Sequence, residues 1–257
     1  MTVGEDDLYV CERAGAQHAE QLLALFESNG SGCFCNYWYF EGDKNAWLER
    51  CYIKPEDNRA ALVARLAQPE LCGVVALHKP DVQRTDLRST AQPSDPRPRT
   101  DLRSTAQPSD TRPSTDVRSA AQRSDTRPTP TDHAVVGWLN LSRVSTVPKL
   151  FNQRVYRNLP CFQGEPGDRE NVFAVACCYV AEAERGRGVA HKLLSAAIAE
   201  VRAAGGSAIE AFPRATPEAE KLRADELLLG PEQLFLAAGF KPVSDFRPYP
   251  VLRLHLP

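Results

Sequence analysis

From residue 172 to 180 the chain is unbroken apolar, VFAVACCYV, rich in β-branched and aromatic side chains and too short for a stable helix. That run predicts a strand buried on both faces. A polar turn over 181–184 follows, then Arg185-Gly186-Arg187-Gly188-Val189-Ala190. Apolar residues return at 189, 193, 194, 197, 198 and 201, the spacing of one helical face, and Gly205-Gly206 supplies the stop. The pattern is strand, glycine-rich turn, helix.

The same reading extends outward. Residues 7–13 alternate as a first strand, and 14–28 place Leu22, Leu23, Leu25 and Phe26 on one side of a helix stopped by Asn29-Gly30. Short helices are predicted over 43–50 and 57–68, the second opened by Pro55-Glu56-Asp57. Strands are predicted over 71–78 and 134–141. Residues 148–158 read as a short helix packing Leu150, Phe151 and Tyr156, and 159–170 as a loop with Pro160 and Pro166. Beyond the central helix come a strand over 207–212 stopped by Pro213 and a helix over 216–229. Another helix restarts at Gly230-Pro231 and ends at Gly239. The tail from 240 to 256 reads as a hairpin whose last strand is 251–256.

Between the strands at 71–78 and 134–141 lies a tandem repeat. The unit beginning at Arg84, RTDLRSTAQPSD, recurs from Arg99 and, degraded, from Ser114, a period of 15. Solenoid repeats bury apolar positions of one unit against the next. These units offer one Leu or Val each among Pro, Ser, Thr, Arg and Asp, too little to offset the entropy of ordering, so residues 84–132 read as a disordered insertion. Arg and Asp nearly cancel within it, which argues against a polyanion-binding arm; a specific partner stays open.

Composition narrows the function classes. The 257 residues carry a net charge of −2 and an apolar fraction of 42%, values of an ordinary globular chain rather than a nucleic-acid binder. No apolar run is long enough to span a bilayer, and the acidic start MTVGEDDLYV lacks a signal-peptide core, so a cytoplasmic location is expected. Eight cysteines in such a compartment read as free thiols.

The glycine-rich turn has a chemical use. The first N–H groups of a helix lack intrahelical partners and sit at the positive end of its dipole, so they attract an anion. Gly186 and Gly188 remove the Cβ atoms that would hold a pyrophosphate away, and Arg185 and Arg187 add positive charge. The plain alternative is a strand–helix connection with glycines for tight turning.

At these residues the sequence resembles the GNAT acetyltransferases, whose acetyl-coenzyme A motif is [QR]-x-x-G-x-[GA]; Arg185, Gly188 and Ala190 stand at its three fixed positions. A second likeness is QLFLAAGF over 233–240, similar to the family's late helix ending in Gly-Phe. The resemblance is best over 133–257 and looser in the first third. It implies one GNAT-fold domain over 1–257: a mixed α/β (α+β) architecture with a mostly antiparallel central sheet flanked by helices, interrupted by the insertion. It implies acetyl-CoA as co-substrate, held by Arg185, Gly186, Arg187, Gly188, Val189 and Ala190. Backbone groups of Cys178, Tyr179 and Val180 are implied contacts for the acetyl and pantetheine portions, because a GNAT sheet splays after this strand.

The implied reaction is direct attack of an amine on the thioester. An ammonium has no lone pair, so a base is needed, and Glu210 and Glu182 are the nearest carboxylates by sequence logic. The plain alternative for each is a solvated surface acid. The departing thiolate needs a proton; the family's usual Tyr position holds Phe235, leaving Tyr179, Tyr37, Tyr39 or water for that role. The acceptor, a small molecule or a peptide amine, is not named by the sequence, nor is the oligomeric state. A catalytically inactive acyl-CoA-binding module of the same fold is the alternative, and a scaffold acting through its repeats a third.

GCFCNYWYF over 32–40 is the most unusual stretch. Cys33 and Cys35 suggest a metal, but zinc sites use four ligands at recognisable spacing and no second pair lies near, so no metal is expected. The segment either packs its aromatics in the core or lines an acceptor pocket with Tyr37, Trp38 and Tyr39.

Overall fold

Seven strands carry the alternating and continuous apolar runs into one sheet: β1 (Tyr9–Arg13), β2 (Gly73–His78), β3 (Val135–Arg143), β4 (Val172–Val180), β5 (Ala208–Ala211), β6 (Lys241–Ser244) and β7 (Val251–His255). The structure is a computed structural model that describes residues 8–28, 30–79, 134–152, 156–163, 169–215 and 229–257. The repeat insertion and nearly all of the helix expected over 216–229 lie outside the described residues. The strand order is β1-β2-β3-β4-β5-β7-β6, antiparallel throughout except for β4 with β5. The fold is thus mixed α/β with a mostly antiparallel sheet, as the sequence implied.

Helix α5 (Val189–Ala203) covers one face. Its Val189, Leu193, Leu194, Ala197 and Val201 meet Val74 and Ala76 of β2, Leu139 and Leu141 of β3, and Phe173 and Val175 of β4. Fully burying each large aliphatic contributes roughly 1.5–3 kcal/mol. Gly137 lets the helix settle there: a Cβ would lie 3.0 Å from both Leu193 Cδ1 and Val189 Cγ1.

The opposite face is covered by α1 (Ala19–Glu27) and α3 (Pro55–Leu66), whose Leu22, Phe26, Leu62 and Leu66 pack on Val75, Trp138 and Cys177. Farther along the same face, Trp38, Val147, Leu150, Tyr156 and Phe212 cover Val172, Ala174 and Ala176. Between α1 and α3 comes α2 (Lys44–Tyr52), whose N-terminus is capped by Asp43 Oδ1 accepting from the Ala46 N–H at 2.8 Å. Proline at the first position and Glu56 and Asp57 in the first turn start α3.

Several expected elements are shorter or differently built. The helix expected over 14–28 divides into a 3₁₀ turn, Ala16–His18, and α1, because buried His18 accepts from the Gly15 N–H through Nδ1 and ties back to Glu12 through Nε2. The helix expected over 148–158 is α4 (Pro148–Asn152); Leu150 and Tyr156 are buried as expected, while the Phe151 side chain lies outside the described residues. Pro231 caps α6 (Glu232–Ala237) rather than opening it. The tail does form an antiparallel pair, but β7 enters the sheet between β5 and β6. Among the described residues, no helix is long and apolar enough to cross a membrane.

Candidate active site

The parallel pair at the sheet's centre is incomplete. Val172–Val175 of β4 pair with Ala208–Ala211 of β5, and the register ends there. From Ala176 to Val180, β4 has no β5 neighbour. On its other side, β4 pairs Asn140 with Cys177 and Leu141 with Val175, so Ala176 is an extra residue, a β-bulge. The bulge changes the parity of the strand. Phe173 and Val175 face α5 before it; Ala176 and Cys177 both face away from α5, and Cys178 then returns to the α5 side. The strand end therefore bends away from β5 at the point where pairing stops.

A cleft of about 520 Å³ occupies this opening, lined on one side by Cys178, Tyr179 and Val180 and on the other by Gly230 and Pro231. Its floor is the glycine-rich turn, with Arg185, Gly186, Gly188, Val189 and Ala190. Gly186 and Gly188 have φ of +75° and +77°, left-handed values that favour glycine, and a Cβ at either would point into open space. Gly188 caps α5, and its carbonyl accepts from the His191 and Lys192 N–H groups at 3.0 and 3.1 Å. The N–H groups of Val189 and Ala190, in the first turn, have no intrahelical acceptor. This is the geometry of an anion site at a helix N-terminus.

The two arginines behave differently. Arg185 Nε donates to the Val180 carbonyl at 3.1 Å, folding the side chain over the strand end. Burial raises the Tyr179 phenol above its ordinary value, while the charge and hydrogen bond of Arg185 work against that rise. Arg187 is half exposed and does not line the cleft; its nearest carboxylate is Glu184, at 3.6 Å.

Glu184 and its partners were not read from the sequence. Its carboxylate, largely buried, accepts from Tyr9 Oη at 2.6 Å and lies 3.2 Å from His78 Nε2, with the Tyr9 and His78 rings 5.0 Å apart. Burial works to raise its pKa, but the hydrogen bonds of Tyr9 and His78 and the charges of His78 and Arg187 bring it below the ordinary carboxylate value. Glu184 thereby pins the turn to the ends of β1 and β2. Its place directly before Arg185 was the available signal, but its partners are 175 and 106 positions away. Gly230 and Pro231, read only as a helix start, form the far wall of the cleft.

The expected catalytic carboxylates are not brought together. Glu182 is exposed on a single 3₁₀ turn, Glu182–Glu184, close enough for its charge to act on Tyr179. Glu210 is fully buried: Oε1 accepts from Arg253 Nε at 2.9 Å and from its Nη2 at 2.5 Å, and Oε2 accepts from Arg169. Both oxygens are enclosed by guanidinium donors and neither lines the cleft. That environment corrects the reading of Glu210 as the base: a proton-accepting carboxylate needs an oxygen open to the amine. Phe235 is also fully buried, tilted edge-on against Phe240 and packed beneath Gly230.

The aromatic segment divides among three environments. Trp38 is core, packed on the face that holds Ala174 and Ala176. Tyr39 Oη donates to Asn140 Oδ1 at 2.7 Å and lies 2.6 Å from Ser142 Oγ, so its hydroxyl serves a buried network rather than the cleft. Tyr37, partly buried at the edge of that cluster, stands edge-on against Trp47. Phe34 and Cys35 adopt φ of +42° and +56°, and the Cys35 sulfur accepts from Asn140 Nδ2 at 3.3 Å. Among the described residues, no group of three metal-ligating side chains occurs.

Comparison with known proteins returns to the central stretch. Residues 129–222 match the acetyltransferase (GNAT) family. No curated protein matches the chain. Among solved structures, it is similar to an N-acetyltransferase from Staphylococcus aureus Mu50 (13% identity, 97% of this chain and 99% of that one, TM-score 0.39). It is also similar to a GCN5-related N-acetyltransferase from Kribbella flavida (12%, 98% and 99%, TM-score 0.45). A third is yncA from Salmonella typhimurium, whose structure contains its cofactor acetyl-CoA (12%, 98% and 95%, TM-score 0.43). The matched residues contain β3, β4, the glycine turn, α5 and β5, which form most of the cleft, so the likeness to the GNAT acetyltransferase family falls on the segment that builds the site.

Proposed function

We propose that this protein transfers the acetyl group of acetyl-CoA to an amine by direct attack. The observation that carries the reading is the cleft where β4 outruns β5 and meets the two left-handed glycines at the start of α5. The residues fit the co-substrate. Two diphosphate oxygens can approach the N–H groups of residues 186–190 because the Cβ directions at Gly186 and Gly188 are open. Arg185 supplies charge in the cleft lining and Arg187 a half-exposed charge beside it, and the backbone of Cys178, Tyr179 and Val180 lines the path of the pantetheine.

The chemistry then follows from the groups present. The neutral amine's lone pair attacks the thioester carbonyl carbon, the C–S bond breaks, and the nitrogen loses a proton. Glu182, exposed beside Tyr179, relays that proton to solvent. Tyr179, whose raised pKa keeps its proton at neutral pH, donates to the departing thiolate, which is a tolerable leaving group in itself. In this reading the domain runs over 1–257 with residues 84–132 as an insertion, and Glu210 holds the β5–β7 region together.

Calorimetric titration with CoA, paired with thiol release from acetyl-CoA against a panel of amines, tests the proposal. CoA binding with amine-dependent thiol release is expected. Binding without turnover would replace it with a non-catalytic acyl-CoA-binding module, and absence of binding would remove both.

A further inference from the structure

Lys149, on α4, is held by aromatic faces. Its Nζ lies 4.6 Å from the centroid of Tyr37, 5.0 Å from Phe40 and 5.9 Å from Trp47. The rings stand at angles to one another, Tyr37 to Trp47 at 70° and 5.4 Å, Phe40 to Trp47 at 45° and 5.2 Å. The Gly42 carbonyl accepts from the same ammonium at 3.5 Å. Among the described residues no carboxylate pairs with it, and burial alone lowers its pKa. An ammonium held by π faces and one carbonyl is the arrangement of a cation-binding cage.

The cage is built into the fold. Phe40 folds back over Gly42, where a Cβ would lie 2.2 Å from the ring, so only glycine admits that ring position. Arg50 Cζ lies 5.7 Å from the Phe40 centroid and helps hold the ring. Tyr37 leans edge-on against Trp38, which is buried with Ala174 and Ala176 of β4. Cys177, on the same side as Ala176 because of the bulge, directly precedes Cys178 of the cleft lining. The cage thus connects through Trp38 to the face of β4 opposite α5, at the residues just before the segment that lines the cleft.

We propose that Tyr37, Phe40 and Trp47 form a binding site for an alkylammonium group of the acceptor, with Lys149 as an internal occupant that the acceptor displaces. The ammonium so held is not the reacting nitrogen, because π faces favour the charged form and attack requires the neutral one. The acceptor therefore carries a second, cationic nitrogen. The word acceptor rests on the acetyltransferase reading; the ammonium site does not.

Titration with tetramethylammonium chloride, against sodium chloride at equal ionic strength, tests the site without any acetyl transfer. Lys149→Ala should bind tetramethylammonium at least about tenfold more tightly than the wild type, and adding Trp47→Ala should remove the gain. A folded Lys149→Ala that binds no better than the wild type overturns the proposal. Should that variant not fold, the wild type supplies the reading: tetramethylammonium must accelerate reductive methylation of Lys149 by displacing it, and an unchanged rate overturns the site. A small diamine and a lysine-containing peptide as competitors distinguish a free amine from a polypeptide source. In transfer assays, Trp47→Ala should raise KM for acceptors with a second ammonium and leave kcat unchanged. Transfer with no ammonium binding sinks this inference alone; ammonium binding with no transfer sinks only the acetyltransferase reading.

Discussion

The Tyr9 hydroxyl donates a 2.6 Å hydrogen bond to Glu184, joining the first strand to the residue that precedes Arg185. Through it the glycine turn is anchored to the β1–β2 end of the sheet. Tyr9→Phe removes the donor and leaves a largely buried carboxylate with one partner fewer, a loss of about 1 kcal/mol, or a few degrees in Tm. CoA affinity should fall with it, because the turn loses an anchor. Thermal melts and calorimetry on the variant check both.

The same carboxylate predicts a pH dependence. Its folded pKa lies below the ordinary value, so its stabilisation is fully present above the ordinary carboxylate pKa. That contribution disappears as pH falls through the lowered folded value. Glu184→Gln should therefore lower Tm at neutral pH and flatten the acid limb of the Tm–pH curve. A wild-type acid limb unchanged by the substitution would show that Glu184 contributes nothing to it.

Gly188 separates backbone strain from charge. With φ of +77° and open space beyond, Gly188→Ala meets no protein atom but is strained by about 1–2 kcal/mol. Gly188→Glu carries the same strain and adds a negative group facing the diphosphate. CoA affinity should fall at least about tenfold in the Glu variant, roughly 1.4 kcal/mol, and less in the Ala variant. Arg187→Ala, removing a half-exposed charge, should cost less than Gly188→Glu, and Lys241→Ala on β6 should cost nothing. Wild-type affinity in a folded Gly188→Glu would move the anion site elsewhere.

Glu210 is expected to act on stability. Glu210→Ala leaves Arg169 and Arg253 facing each other around a buried vacancy, and breaking such a pair costs about 3–5 kcal/mol. Denaturant melts should show that loss. A well-folded variant that binds CoA normally but has lost turnover would restore Glu210 as the base.

The repeats should be removable. The His78 N–H donates to the Ala134 carbonyl at 3.1 Å, and Leu77 pairs with Val135, so the two strand ends already stand side by side. A short Asn-Gly turn in place of residues 80–133 meets the closure geometry of a hairpin. Tm and CoA affinity should stay nearly unchanged; a fall of more than about 5 °C would show that the insertion supports the domain.

What the sequence determined by itself was local and periodic. The apolar run of β4, the glycines at 186 and 188, and the face of α5 appear as neighbouring letters because strand, turn and helix formation depend on residues a few positions apart. The motif residues of the cleft floor were legible for the same reason. Only the tertiary structure decided the rest. Glu210 looks like any surface acid until β7 inserts beside β5 and brings Arg253 against it. Glu184 has no visible importance until β1 and β2 deliver Tyr9 and His78, and Lys149 none until the loop at 37–42 and α2 close three rings around it. Sheet order and loop closure set those contacts, and both depend on the packing of the whole chain rather than on any periodicity along it.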